Sequence, residues 1–191
     1  MAIDRRKLIV DAATKSFSQF GYKATTMDQV SKIANVGKGT IYTFFKTKEE
    51  LFDEIINSLI KEMKQAAVEA MEQPSLSFHE KVHRALYRIL EFRMEHQLTI
   101  KLMQEEREMR TPAVMEVMEK LEQVILNFIK EKIVAAIAKG EIRQCDPELT
   151  SFVILKLYIA LIFDWEKNHE PLTKEKIAEL FEMYVFKGLS T

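Results

Sequence analysis

The chain is short of the residues that punctuate or cross-link a fold. Five Gly and four Pro in 191 residues leave few breaks, which favours long helices over a sheet of many short strands. Its single cysteine, Cys145, allows no internal disulfide and fits a reducing compartment. Long apolar runs are missing too. The longest, Phe152 to Phe163, is interrupted by Lys156, whereas a bilayer-spanning helix needs about 20 residues. A secretory leader is not expected either, because Arg5-Arg6-Lys7 is followed only by Leu8-Ile9-Val10 before Asp11. These absences predict a cytoplasmic protein with no membrane partner.

What the chain does have is a sizeable core and an uneven charge. Hydrophobic residues make up 47% and charged residues 30%, an ordinary balance for a packed globular protein. The net charge of −1 hides an asymmetry: residues 1–48 carry nine Lys or Arg against three Asp, a net of +6. Residues 49–191 carry nineteen basic and twenty-six acidic groups, a net of −7. A basic head on an acidic body points to a polyanionic partner at the head, and DNA is the obvious one.

Apolar residues recur at helical spacing throughout, and no run alternates as a half-buried strand would. Leu8, Ala12, Phe17 and Phe20 form one stripe, closed by Gly21 as the residue after a helix end. Thr26-Met27-Asp28-Gln29 is a capping box that starts a short second helix through Val30 and Ile33. Asn35 tolerates a left-handed turn, and Gly37 serves as N-cap to a third short helix ending near Phe45. Thr47-Lys48-Glu49-Glu50 is a second capping box, opening a long helix with Leu51, Phe52, Ile55, Ile56, Leu59 and Met63 on one face. Beyond a break at Gln73-Pro74-Ser75, further helices start near Phe78, Gln97, Pro112, Pro147 and Thr173. About nine helices and an all-α fold are expected.

Three short helices in about forty residues, the last two joined by a tight turn, make a helix-turn-helix. The third helix spans about 12 Å at 1.5 Å per residue and fits one major groove. Ile41 and Phe45 anchor it, with Phe44 also assigned to the core. Lys38, Thr40, Tyr42 and Thr43 point outward as donors, flanked by Lys46 and Lys48, and Gly39 lets the backbone approach the duplex. The stretch AATKSFSQFGYKATTMDQVSKIANVGKGTIYTFFKTKEEL, Ala12 to Leu51, resembles the tetracycline-repressor (TetR) family of bacterial transcription regulators. The Phe-x-x-x-Gly-Tyr close of helix one, the Thr-Thr start, Gly39-Thr40-Ile41-Tyr42-x-Phe44-Phe45 and Lys48-Glu49-Glu50-Leu51 carry the likeness. Asn35 stands where that family's turn usually has Gly, and Gly37 where it usually has Ser.

The resemblance implies a DNA-binding domain over 1–48 and a helical ligand-sensing and dimerisation domain over 49–191. It implies DNA contacts from Thr26, Lys38, Gly39, Thr40, Tyr42, Thr43 and Lys48, with Tyr42 and Lys48 on phosphates, and the flanking Lys46 is a further candidate contact. It further implies a homodimer on a pseudo-palindromic double-stranded operator, and a repressor released by a small effector. No cofactor, metal or catalytic residue is called. The sequence itself supports dimerisation through the last two helices, since Phe152 to Trp165 is apolar nearly all round. Methionines are dense between residues 94 and 118, so Met94, Met103 and Met118, together with Phe152, are candidate lining residues for an apolar or amphipathic ligand. One pattern points elsewhere: His79-Glu80-x-x-His83 matches the H-E-x-x-H of zinc peptidases. A helical zinc metallopeptidase is therefore the alternative, opposed by Lys81 inside the motif and by the lack of any preceding strand.

Overall fold

A computed structural model describes residues 4–72, 76, 78–95 and 97–187. Among them there are nine α-helices and no strand. These are α1 (Arg5–Ala24), α2 (Met27–Ile33), α3 (Lys38–Phe44), α4 (Lys48–Met71), α5 (Phe78–Glu95), α6 (Gln97–Met109), α7 (Pro112–Ala138), α8 (Pro147–Ile159) and α9 (Lys174–Phe181). The all-α expectation is borne out. The expected break at Gln73-Pro74-Ser75 lies outside the described residues.

The chain divides into two compact units. Residues 1–63 and 93–120 form the first, which holds α1 to α3, most of α4, α6 and the start of α7. Its buried side chains include Ile9, Phe17, Val30, Ile41, Leu51, Phe52, Leu102 and Val114. Phe17 meets Phe52 edge-on at 5.3 Å between ring centroids, and Tyr22 lies 4.6 Å from Phe52. Of the stripe expected on α1, Ala12 and Phe17 are buried, whereas Leu8 and Phe20 are exposed and Ile9 and Ala13 are buried in their place. Burial follows the side that faces this aromatic cluster, and the broad apolar surface of α1 left that side undecided. Arg6 completes the start of α1, pairing with Glu54 and lying 5.2 Å over the Phe45 ring.

Residues 64–92 and 121–191 form the second unit, with α5, the rest of α7, α8 and α9. Leu86, Ile162, Ile177, Phe181, Val185 and Phe186 make one apolar cluster there, and Ile133, Ala136 and Ile142 another. Asp146 caps α8 by accepting from the Glu148 and Leu149 amides at 2.9 and 3.0 Å, with Pro147 at the first helical position. α8 and α9 each run into a π-helical turn, Ala160–Asp164 and Glu182–Phe186. A π turn takes one more residue than an α turn, so it shifts the phase of the face that follows. For that reason Val185 and Phe186 point inward and Tyr184 stands outside.

Phe17 is completely buried between two aromatic partners. Phe17→Ala is expected to destabilise the protein by about 3–5 kcal/mol, read as a lowered urea midpoint with an unchanged m-value.

Candidate nucleic-acid interface

The turn between α2 and α3 is built as its residues dictate. Thr26 is extended and its hydroxyl accepts from the Gln29 amide at 3.2 Å, a side-chain cap on α2. Asn35 takes φ 52°, and the Val36 amide returns to the Ser31 carbonyl at 3.0 Å, closing the helix end. Gly37 is the N-cap of α3 and supplies no side-chain bond. The cradle between α3 and α4 is capped in turn by Thr47, whose hydroxyl accepts from the Glu50 amide at 3.1 Å.

On α3 the burial pattern separates buried anchors from an exposed face. Ile41 and Phe45 are buried, whereas Lys38, Gly39, Tyr42 and Thr43 are exposed and Thr40 is half-buried. Phe44, assigned to the core by its aromatic character, is instead exposed at 40%. A Cβ placed on Gly39 would meet nothing within 4 Å, so the backbone there is open to an approaching duplex. The Thr43 hydroxyl donates to the Thr40 carbonyl at 2.6 Å, and Lys46 Nζ to the Tyr42 carbonyl at 3.1 Å. Lys38 Nζ sits 2.8 Å from Asp28 Oδ1, both side chains being solvent-exposed. The hydrogen bond to Lys38 holds the Asp28 carboxyl below its usual range, and the same bond raises Lys38. An exposed pair of this kind contributes little net stability. Exchanging Asp28 for another acceptor therefore costs Lys38 little.

Lys48 is placed differently from the other basic residues. Its ammonium turns inward, donating at 3.0 Å to both the Tyr22 and Thr25 carbonyls and lying 4.1 Å over the Tyr22 ring. Burial pushes its pKa down. The Tyr22 hydroxyl donates to Glu49 Oε1 at 2.7 Å. That bond above all lowers Glu49, while burial above all raises Tyr22.

The residue that sequence reasoning missed is Glu105. It is only 4% exposed, and its carboxylate reaches from α6 into a break in α1. At Gly21, φ 83° and ψ 171° interrupt the helix, so the following amides turn away from the helical ladder. Glu105 Oε2 accepts from the Tyr22 amide at 2.6 Å, and Oε1 from the Lys23 amide at 2.9 Å and from the Thr111 hydroxyl at 2.9 Å. A Cβ on Gly21 would collide with Oε2. The Thr25 hydroxyl spans the same break to the Gly21 carbonyl at 2.8 Å and meets Ser16 at 3.0 Å. A signal was available: Leu98, Leu102 and Glu105 share one helical stripe, which places the acid on the buried side of α6.

The candidate ligand-lining residues are dispersed. Met103 and Met118 are half-buried in the first unit; Phe152, in the second, is 46% exposed under the Lys156 ammonium. The Met94 side chain lies outside the described ones, as does that of His79. His83 stacks on Tyr87 at 5.4 Å. Among the described residues no three His, Cys, Asp or Glu gather as a metal site, and no helix is long and apolar enough to cross a membrane.

Two family models match the chain: the bacterial regulatory proteins of the tetR family over residues 9–55, and the tetracyclin repressor-like C-terminal domain over residues 75–189. An HTH-type transcriptional regulator of Bacillus subtilis (strain 168), YhgD, is 70% identical over 190 residues, covering 100% of this chain and 99% of that protein. The transcriptional regulator FadR of Bacillus subtilis, solved in complex with stearoyl-CoA, superposes with a TM-score of 0.75 at 19% identity over 92% of this chain and 96% of its own. The fatty acid degradation regulator FadR of Bacillus halodurans does so at 0.75 and 17%, over 96% and 95%.

The Tyr22–Glu49 bond carries a pH signature. A depressed Glu49 stabilises the fold above its ordinary value of 4.5 and loses that contribution as pH falls through the lowered value. A raised Tyr22 stabilises below its ordinary 10.0 and loses that contribution as pH rises above it. Tyr22→Phe is therefore expected to cost about 1 kcal/mol near neutrality, with the gap to wild type closing in acid and in strong base. Urea unfolding at about pH 7 and about pH 3.5 reads this directly, and an equal gap at both values rules out the bond as the cause.

Proposed function

The chain belongs to the tetR family of bacterial regulatory proteins, and from there we propose that it is a homodimeric repressor that leaves its operator when a small amphipathic molecule binds. The observation that carries the DNA half is the outer face of α3. Lys38, Gly39, Thr40, Tyr42 and Thr43 stand on a short helix anchored by Ile41 and Phe45, within a head of net charge +6. Thr26 at the start of α2 and Lys46 after α3 extend this face, and both are exposed. Lys38 and Gly39 lie nearest base edges in this scheme, while Tyr42, Thr26 and Lys46 hold phosphates. Lys48 enters as a brace: its ammonium is committed to two carbonyls of the turn that precedes Thr26. The DNA-binding domain is then residues 1–48 and the sensing and dimerising domain 49–191, acting in the cytoplasm where the operator is. No catalytic role is assigned.

Support for the dimer comes from the second unit. Leu149, Phe152 and Val153 on α8, Trp165 beyond it, and Met183 and Tyr184 after α9 are large apolar side chains left exposed in the single chain, Tyr184 at 67%. An apolar surface of that extent marks an association site, and two copies would present two heads to two half-sites. For the effector, the half-buried methionines suit a flexible apolar group, and the FadR neighbour solved with stearoyl-CoA makes a long-chain acyl thioester the first probe. Release follows if the effector binds better to a dimer geometry whose heads no longer match the half-site spacing.

Three measurements test the reading. Gel shifts against duplex flanking the protein's own gene are expected to show salt-sensitive binding. Lys46→Ala should lower the log–log salt slope by about 0.9, and Tyr42→Ala should weaken binding without unfolding the protein. Unchanged affinity and slope in both variants would sink the assignment of α3. Sedimentation velocity is expected to give twice the mass of one chain, and Leu149→Asp/Val153→Asp to give a folded monomer. A wild-type monomer at micromolar concentration excludes the dimer. Stearoyl-CoA at a hundredfold excess over its dissociation constant should add about 2.7 kcal/mol of stability and raise Tm, and no shift removes this effector class.

A further inference from the structure

We propose that Glu105 is the positioning residue for operator binding: the carboxylate that α6 delivers into the α1 break fixes where the reading helices stand, without touching DNA. This rests on the DNA-binding reading of the head and adds to it the residue that holds the head in its binding conformation.

The argument runs along a continuous set of bonds. Gly21 abandons helical geometry, and the segment it releases, Tyr22 to Thr25, leads straight into Thr26, the cap of α2. A released turn has no ladder to fix it, so its position depends on what grips it. Two opposite charges do. Glu105 takes the Tyr22 and Lys23 amides at 2.6 and 2.9 Å, and Lys48 takes the Tyr22 and Thr25 carbonyls at 3.0 Å. Lys48 belongs to α4 and Glu105 to α6, so the segment before Thr26 is held between two helices of the same compact unit. The anionic grip is the more demanding one, because the carboxylate is buried and all its described donors come from this joint and from Thr111. A buried carboxylate that loses a donor is strongly penalised, so the joint is held in one arrangement.

Gly21 serves the same purpose. Its φ of 83° favours glycine, and the space its missing side chain leaves is occupied by Oε2. The position is therefore doubly restricted, once by its own backbone and once by a residue 84 positions further on. Thr111, which starts the chain leading into α7, donates to the other oxygen and keeps the carboxylate aimed. A change in the placement of α6 or of the α6–α7 corner is thus transmitted to Thr26 through one side chain.

The test compares variants on a duplex that the wild-type protein itself selects from a random pool. Glu105→Gln keeps the shape of the side chain and an oxygen for one donor, but turns an NH2 toward another. It is expected to bind the selected duplex about tenfold more weakly with the wild-type salt slope, since no phosphate contact is lost. Amide hydrogen exchange at Tyr22 and Lys23 should rise about tenfold at the same time. Thr111→Val, a milder change, should weaken binding about two- to threefold. Gly21→Ala combined with Glu105→Gln should cost less affinity than the two single losses multiplied, because both act on one contact. Unchanged affinity in Glu105→Gln, with only its thermal stability lowered, overturns the proposal in favour of a purely structural role. Unchanged exchange at Tyr22 and Lys23 overturns it as well. A wild-type protein that enriches no duplex fails the DNA-binding reading itself and takes the proposal with it; a duplex that Glu105→Gln binds normally defeats the proposal alone.

Discussion

A buried carboxylate set against two backbone amides is the constraint on which the first compact unit depends. Glu105 is charged, enclosed and far along the chain from Tyr22 and Lys23. Enclosing a charge is tolerated only when its oxygens are fully engaged, so Gly21 must break α1, Thr111 must stand at the head of α7, and Tyr22 must sit where its amide can donate. The aromatic packing of Tyr22 on Phe17 and Phe52 then places its hydroxyl on Glu49 and its carbonyl on Lys48. Removing the acid would leave the geometry of four helices without a common reference.

Around this joint the division of labour is plain. Apolar side chains such as Ile41, Phe45 and Phe52 supply most of the burial and thus most of the stabilisation, but such contacts are non-directional. Direction comes from the few polar groups with fixed angles: the Thr26 cap, the Thr47 cap, the Lys48 bridge and Glu105. The exposed pairs, Lys38 with Asp28 among them, contribute little to the fold and leave their lysines available for exchange. This is a sensible arrangement for a reading surface, whose side chains must be released cheaply while the backbone beneath them stays put.

Much of this was legible in the sequence. Both threonine N-caps announce themselves by residue type, Asn35 and Gly21 mark left-handed positions, and Asp146-Pro147 opens α8 as expected. Local rules suffice there, because each signal and its partner lie within four residues. The misses all involve distance or phase. Lys48 reads as a surface cation from its neighbours, yet the carbonyls that capture it lie 23 and 26 residues away. Leu8, Phe20 and Phe44 are apolar enough for a core, and only the arrangement of the helices around them decides otherwise. The outward face of Tyr184 follows from a π turn that no periodicity of 3.6 anticipates. The effector's chemistry was not legible, because methionine and aliphatic residues fill cores and line pockets alike.

The long reach of Glu105 also bears on how the protein is made. The helices that read DNA leave the ribosome first, but the acid that completes their joint lies 83 residues beyond Tyr22. At about 5–20 residues per second, translation takes roughly 4–17 s to cover that interval. During it the Tyr22 and Lys23 amides are hydrated and the break at Gly21 is open. The nascent reader is thus an unfinished object: it acquires its working shape only once α6 has been synthesised and folded back upon it.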